Sequence, residues 1–454
     1  MRVHLIAIGG SAMHNMALAL HEKGFVVSGS DDEINEPSKT RLKNAGLLPK
    51  KIGWFPEKIT ADIDAVILGM HAREDNLELI KAKELGLKIY SYPEYIYEAT
   101  KDKTRVVIGG SHGKTTITAM ILHVLNYHHI NTDFMVGAQL EGFNTMVKLT
   151  KEAKIAIIEG DEYLASPIDR RPKFHLYKPN IAIISGIAWD HINVFPTFEI
   201  YVEQFKKFIE LIEPNGTLIY CNEDKELQKV AASATNTSIH KIPYAIPKHK
   251  IENGLTILED NQQQIPLKVF GDHNLMNING AHLVCQTLGI TDSQFYEAIQ
   301  SFKGAAKRLE LVECTKDFSF YKDFAHSPSK LKATTSAVKH QFKDRTIIAC
   351  MELHTFSSLN ETFLAEYNGS MNEADEAIVY FNPHTIEHKK LKPITEQQVL
   401  NYFNRKDLQV FTDSQKLVSY LKNKHLKNHV LLMMSSGNFD GIDFKQLSTE
   451  LNVN

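Results

Sequence analysis

The segment Gly110-Ser111-His112-Gly113-Lys114-Thr115-Thr116 constrains this chain more than any other. It follows an apolar run, Arg105-Val106-Val107-Ile108-Gly109, and opens a stretch of helical period, Ile117-Thr118-Ala119-Met120-Ile121-Leu122. Strand, glycine loop, Lys-Thr and helix are the parts of a phosphate cradle. Glycines let backbone N–H groups turn onto phosphate oxygens, and the helix N-terminus adds the positive end of its dipole. In such a cradle Lys114 reaches the β/γ-phosphates and the Thr115 hydroxyl holds Mg²⁺. The loop is shorter than Gly-x4-Gly-Lys-[Ser/Thr], because position 108 is Ile. The bland alternative is a plain glycine turn before a helix. Lys-Thr-Thr at this position speaks against it.

A parallel α/β fold needs many more such units, and the chain has room for them. Its 454 residues exceed one ordinary core and predict several domains. Hydrophobic content of 43% and charged content of 23% are those of a globular protein. A formal net charge of −3 carries no footprint for nucleic acid. No apolar run approaches the roughly 20 residues that span a bilayer, so no membrane partner is expected. The opening Met-Arg-Val-His-Leu-Ile-Ala-Ile-Gly-Gly reads as a first strand rather than a signal peptide. Cys221, Cys285, Cys314 and Cys350 are scattered, which indicates neither a zinc site nor a disulfide framework. A cytoplasmic protein is the expectation.

Short β-branched runs alternate with helical patterns throughout, which predicts parallel α/β units. Strands are expected at Val3–Ile8, Phe25–Ser28, Ala65–Leu68 and Lys88–Tyr90, then at Arg105–Ile108, Ile155–Ile158, Ile181–Ile184 and Thr217–Tyr220. The last third adds Thr346–Cys350, Glu376–Phe381 and His429–Met434. Joints at Thr100-Lys101-Asp102-Lys103 and near Lys303-Gly304-Ala305-Ala306 give three α/β domains in series, 1–102, 103–303 and 304–454.

The polar residues of interest fall just after strands, where open α/β sheets bind ligands. Gly9-Gly10-Ser11 follows the first strand and Ser30-Asp31 the second, with Asp31 lying 22 residues beyond Gly9. That approaches a nucleotide-binding layout in which the acid meets a ribose hydroxyl. Ala7 and Ala12 stand at possible glycine positions, so an ordinary strand–helix turn stays open. His71-Ala72-Arg73-Glu74-Asp75-Asn76 is a polar loop after a strand. Glu159 follows Lys154–Ile158, and facing a phosphate loop it suits Mg²⁺, with Asp161 and Glu162 adding negative charge. A solvated acidic turn is the alternative. His191, in Trp189-Asp190-His191, follows the next strand and by itself reads as a cap as readily as a ligand. In Gly271-Asp272-His273-Asn274-Leu275-Met276-Asn277, Asn274 and Asn277 share one helical face. Their amides can read a purine edge or cap the helix. Arg308, in Lys307-Arg308-Leu309-Glu310, sits at the second joint and can close on a transferring phosphoryl group. Asp323-Phe324-Ala325-His326-Ser327-Pro328 offers an acid for a ribose and a histidine for a substrate, or else a salt bridge and a cap.

Taken in order, Gly-x-x-Gly-Lys-Thr-Thr, Glu-x-x-Glu, Asp-His, Gly-x-His-Asn-x-x-Asn, Lys-Arg-x-Glu and Asp-x-x-His-x-Pro resemble the Mur ligase family over essentially the whole chain. The resemblance implies a Rossmann-like UDP-binding domain, a central P-loop ATPase-type domain with a mostly parallel sheet, and a C-terminal Rossmann-like domain for the amine. It implies ATP and Mg²⁺ as cofactors and a ligase that joins an amino acid or peptide to UDP-N-acetylmuramate through an acyl phosphate. Two subgroups look closest. One uses L-alanine; the other recycles the tripeptide L-alanyl-γ-D-glutamyl-meso-diaminopimelate. Glu159–Tyr163 running on into Ile168-Asp169-Arg170-Arg171-Pro172-Lys173-Phe174, Arg308-Leu309-Glu310-Leu311, and Met434-Ser435-Ser436-Gly437-Asn438-Phe439-Asp440-Gly441-Ile442 look more like the recycling enzyme. By the same resemblance the loop Gly110–Thr116 binds ATP, with Lys114 and Thr115 on its phosphates and Mg²⁺. Glu159 and His191 ligate the metal, Asn274 and Asn277 hold adenine, Arg308 touches the γ-phosphate and Asp323 the ribose. Gly9, Gly10, Ser11, Ser30, Asp31, His71, Arg73 and Asn76 hold the UDP-sugar, and His326 and His354 face the substrate side. The chain departs from the family pattern at Gly186 and Ala188, where Asn and an acid are usual. It departs again at Glu352-Leu353-His354-Thr355, where Pro-Arg or Pro-His-Arg is usual. Lys206 has the spacing of a Lys that some members carbamylate, and here it reads as a surface residue.

Overall fold

The computed structural model describes residues 1–70, 72–140, 142–189, 194–252, 254–260, 263–304 and 308–451. They fall into two compact units, residues 1–246 with 276–299 and residues 247–275 with 300–454. Among the described residues no helix is long and apolar enough to cross a membrane.

The first unit carries two sheets. Four parallel strands lie in the order Val26–Ser30, Arg2–Ile6, Ala65–Leu68, Ile89–Ser91. Val3, Leu5, Ile6, Val66 and Ile67 are fully buried, and Ala65–Leu68 reads as a continuous apolar run rather than an alternation because both of its faces are covered. The larger sheet runs His240–Tyr244, Thr217–Cys221, Ile181–Ile184, Thr104–Gly109, Ile155–Glu159, Thr132–Met135, Val147–Lys148, and only the last strand is antiparallel. Its middle strand, Thr104–Gly109, pairs Ile108 with Glu159 on one side and Gly109 with Ile184 on the other. The carboxyl ends of three strands therefore meet at one place. Under that place Phe174 stacks on Phe208 with ring centres 4.5 Å apart, and Phe205 meets Phe174 edge-on at 5.5 Å.

The second unit holds a six-stranded sheet in the order Glu310–Cys314, Phe318–Asp323, His429–Met434, Thr346–Glu352, Glu376–Tyr380, Gln409–Phe411. Only its first strand is antiparallel. Both faces are covered. Val430, Leu432 and Met434 enter one apolar cluster, and Leu431 and Met433 enter the other. The unit also contains an antiparallel three-stranded sheet, His249–Glu252, Leu255–Asp260 and Gln263–Leu267. Gln341 ties that sheet down: its Nε2 donates to Gly254 O at 2.6 Å, and its Oε1 accepts from Thr256 Oγ1 at 2.9 Å. The sequence pattern does not reveal these three strands, because Lys, Gln and Glu dilute their alternation.

Phe208 is fully buried. Its replacement by Ala is expected to destabilise the first unit by about 3–5 kcal/mol, read as a lowered urea midpoint at unchanged slope.

Candidate functional site

The strand–loop–helix at Thr104–Tyr127 builds a cradle that only glycine allows. Gly110 has φ +122° and Gly113 has φ +79°. A Cβ at Gly110 would collide with Ser185, and one at Gly113 with the Asn277 side chain. Gly113 is the N-cap of helix Lys114–Tyr127, so no side chain shields the first-turn N–H groups from the loop.

Two carboxylates face this helix end. Lys114 Nζ donates to Glu162 Oε2 at 2.8 Å and to Gly110 O at 2.7 Å. Burial pulls the Lys114 pKa down, but Glu162, Asp161 and Glu159 outweigh it and hold the ammonium above the usual lysine value. Thr115 Oγ1 donates to Glu159 Oε1 at 2.8 Å, and Gly137 N donates to Glu159 Oε2 at 2.8 Å. Glu162 Oε1 also accepts from Tyr201 Oη at 3.1 Å, and Tyr201 Oη lies 2.8 Å from Ser111 Oγ. Ser111 Oγ in turn accepts from Ala188 N at 2.8 Å, and Ser111 N donates to Gly186 O at 3.0 Å. Ser111 therefore faces inward and ties the loop to the next strand end. His112 O accepts from Ser185 Oγ, and Thr116 is buried in the helix. The part of Glu162 and Tyr201 in fixing Lys114 and Ser111 goes beyond the sequence reading. Its one signal was the second acid of Glu-x-x-Glu. The donors fit a nucleotide with Mg²⁺: glycine N–H groups and an ammonium for phosphate, and a hydroxyl beside a carboxylate as hard oxygen ligands. His191, with Asp190, lies outside the described residues.

At the carboxyl ends of the first sheet, Gly10 caps helix Ser11–Glu22. Asp31 is buried. Its Oδ2 accepts from Gly9 N at 2.6 Å, and its Oδ1 accepts from Asp32 N at 2.9 Å. Burial pushes its carboxyl up to about 6, against the Gly9 bond that lowers it. A Cβ on Gly9 would lie 2.9 Å from that carboxylate, so glycine is required by proximity. Ser30 is fully buried and accepts from Lys58 Nζ at 2.9 Å. Asn76 caps helix Leu77–Glu84, accepting from Glu78 N and Leu79 N. A cleft of about 650 Å³ opens here, with Trp54 and Arg73 among its walls. His71 lies outside the described residues.

In the second unit, Asn274 Nδ2 donates to Phe270 O at 2.9 Å. Burial lowers the pKa of neighbouring His273, opposed by Asp323 and Asp272. Asp323 Oδ2 accepts from Leu309 N at 2.7 Å and Oδ1 from Ala325 N at 2.7 Å. It thus fixes the chain right after Arg308, whose guanidinium stands 4.7 Å over the Phe324 ring. His326 Nδ1 lies 2.7 Å from Phe324 O, and Tyr367 Oη donates to His326 O at 2.6 Å. His354 Nδ1 is 3.5 Å from Glu352 Oε1, and Glu352 Oε2 accepts from Phe439 N at 2.8 Å and from the Ser435 hydroxyl.

Three family models match the chain in succession: "Mur ligase family, catalytic domain" over residues 2–104, "Mur ligase middle domain" over 108–285, and "Mur ligase, glutamate ligase domain" over 307–437. The UDP-N-acetylmuramate–L-alanine ligase of Clostridium kluyveri is 29% identical over 453 residues, covering 96% of this chain and 95% of that protein. A murein peptide ligase structure from Psychrobacter arcticus matches with TM-score 0.62 at 22% identity, covering 100% and 99% of the two chains. The UDP-N-acetylmuramate-alanine ligase structure from Thermotoga maritima gives TM-score 0.69 at 19% identity, covering 97% and 96%.

Gly113→Ala puts a side chain into Asn277 at a strained φ costing about 1–3 kcal/mol, so nucleotide affinity by calorimetry should fall about tenfold to a hundredfold. Burial pushes the Asp31 carboxyl up to about 6, above the ordinary aspartate range, so the folded state binds more protons than the unfolded one between the two values. Its contribution to stability is therefore full at acid pH and is lost as pH rises through about 6. Asp31→Asn should flatten the fall in urea midpoint over that window. An unchanged slope would show that another group carries it.

Proposed function

We propose, on the premise that this chain belongs to the Mur ligase family, that it joins the tripeptide L-alanyl-γ-D-glutamyl-meso-diaminopimelate to the lactyl carboxylate of UDP-N-acetylmuramate with conversion of ATP to ADP. The observation that carries the ATP-dependent step is the pairing of Lys114 with Glu162 and of Thr115 with Glu159 around a glycine-only loop. The observation that favours a peptide amine is the segment after Glu162. It folds back on itself through Lys173 N to Tyr163 O at 2.9 Å, Ala165 N to Arg171 O at 2.9 Å and Ser166 N to Asp169 O at 3.0 Å. This is the extended connection by which the sequence resembles the recycling subgroup. The alanine ligase is the second reading, favoured by the name of the Clostridium kluyveri relative.

In this reading residues 1–102 take the UDP-sugar, 103–303 the nucleotide and 304–454 the amine. Gly9, Gly10, Ser11, Ser30, Asp31, His71, Arg73 and Asn76 serve the UDP-sugar. Asn274 and Asn277 serve adenine, Asp323 the ribose, and His326 and His354 the amine side. A lactyl carboxylate oxygen attacks the γ-phosphorus, ADP leaves, and the amine nitrogen then attacks the acyl carbon, losing a proton as phosphate departs. Phosphorylation is needed because a carboxylate is a poor electrophile. The protein's part is positioning and charge neutralisation. Lys114 and the Gly110–Thr116 N–H groups meet the phosphates, and Arg308 meets the transferring group. Thr115, Glu159 and His191 would hold Mg²⁺, which when bound would supply further neutralisation of phosphate charge.

Phosphate release from ATP with UDP-N-acetylmuramate is expected to be faster with the tripeptide than with L-alanine; the reverse preference moves the chain to the alanine ligase. Lys114→Ala should lower turnover on the order of a hundredfold to a thousandfold while UDP-sugar binding by calorimetry persists. Equal loss of both would overturn this division of labour.

A further inference from the structure

Helix Ser11–Glu22 buries two polar side chains, His14 and Asn15, between Met13 and Met16, where apolar residues would pack as well. Asn15 is fully buried and fully used. Its Nδ2 donates to Ser11 O at 2.8 Å, and its Oδ1 accepts from Arg41 at 3.0 Å, Met146 N at 3.0 Å and Thr145 Oγ1 at 3.1 Å. Arg41 spreads its two terminal nitrogens. Nη1 reaches Asn15 and, at 3.2 Å, His14 Nε2, while Nη2 donates to Asn144 O at 2.6 Å. His14 Nδ1 lies 3.0 Å from Gly10 O, so Nδ1 holds the proton and Nε2 accepts. Burial, and after it the Arg41 charge, favour this neutral ring against the Gly10 bond.

The bonds run on toward the phosphate loop. Val136 N donates to Met146 O at 2.9 Å, and the next residue, Gly137, donates its N–H to Glu159. A cleft of about 480 Å³ lies alongside, bounded by Ser11, Arg41, Gly137 and Gln139. A buried polar network of this kind is satisfied in one register only, and so fixes register.

We propose that Asn15 and Arg41 are positioning residues: they latch the Gly9–Ser11 loop to residues 144–146, which bond to Val136 beside Gly137, and so set the acceptor carboxylate relative to Glu159 and Thr115. This rests on the reading that the Gly9–Ser11 loop takes the UDP-sugar. The latch acts on the reacting geometry rather than on either binding site, and displacement of about 1 Å costs up to a hundredfold in rate.

The test is steady-state phosphate release by the full chain and by N15A, R41A, R41K and N15A/R41A, each substrate varied in turn. In every variant kcat falls about tenfold while KM for ATP and UDP-N-acetylmuramate stays within about twofold, and the double variant is no worse than R41A because one network is lost. R41K follows R41A, since one ammonium cannot reach Asn15 and Asn144 together. An unchanged kcat in R41A overturns the latch, as does a raised UDP-sugar KM at normal kcat. Hydrogen–deuterium exchange supplies a readout without substrate: peptides covering 134–148 exchange faster in R41A and R41K. Unaltered exchange overturns the latch whichever acid the enzyme uses. An inactive wild type with normal latch-dependent exchange overturns only the substrate reading.

Discussion

The chemistry of the first unit depends on the register between two adjacent parallel strands, with Ile108 opposite Glu159. Because parallel strands point the same way, their carboxyl ends gather on one edge. A phosphate loop after one strand then faces an acid at the end of the next. Slip that register by one residue and Glu159 turns to the other face of the sheet. Thr115 would lose its carboxylate, and Gly137 its acceptor. The same slip would misfit the close-packed side chains buried on both faces of these strands, so the core and the site depend on one register.

The same device recurs at each of the three sheets built from parallel strands. Asp31 accepts the N–H of Gly9, Glu159 that of Gly137, Asp323 that of Leu309 and Glu352 that of Phe439. Each acid ends or directly follows a parallel strand and takes a backbone donor from a neighbouring loop. A backbone N–H on a carboxylate is a charge-assisted bond that leaves the second oxygen available for other partners. Glu159 shows the division plainly, with Oε2 on Gly137 and Oε1 on Thr115.

Most of the parallel frame was legible. Ala65–Leu68, Ile181–Ile184 and His429–Met434 are strands over the residues that the apolar runs mark, since buried parallel strands need uninterrupted apolar side chains. The glycine loop was legible because its two positive-φ positions admit little else. The three antiparallel strands between His249 and Leu267 were not, being short, half exposed and rich in polar residues. Nor were Tyr201 and Asn15. A tyrosine in an amphipathic helix and an asparagine among methionines carry no spacing signal, and their roles exist only once distant segments arrive.

The acids also explain where a sequence reading reaches its limit. A carboxylate after a strand is expected to meet a ligand, and Asp31 and Asp323 were read that way. In the folded chain both oxygens of each already accept backbone N–H groups: Gly9 and Asp32 for Asp31, Leu309 and Ala325 for Asp323. Those bonds hold the loops that carry Gly9 and Arg308 in place. A ligand hydroxyl reaching either acid would meet a carboxylate whose orientation is already set, which is the preorganisation that positioning requires. At Glu159 the two oxygens are divided instead, one facing the loop at Gly137 and the other Thr115 in the first turn of helix Lys114–Tyr127.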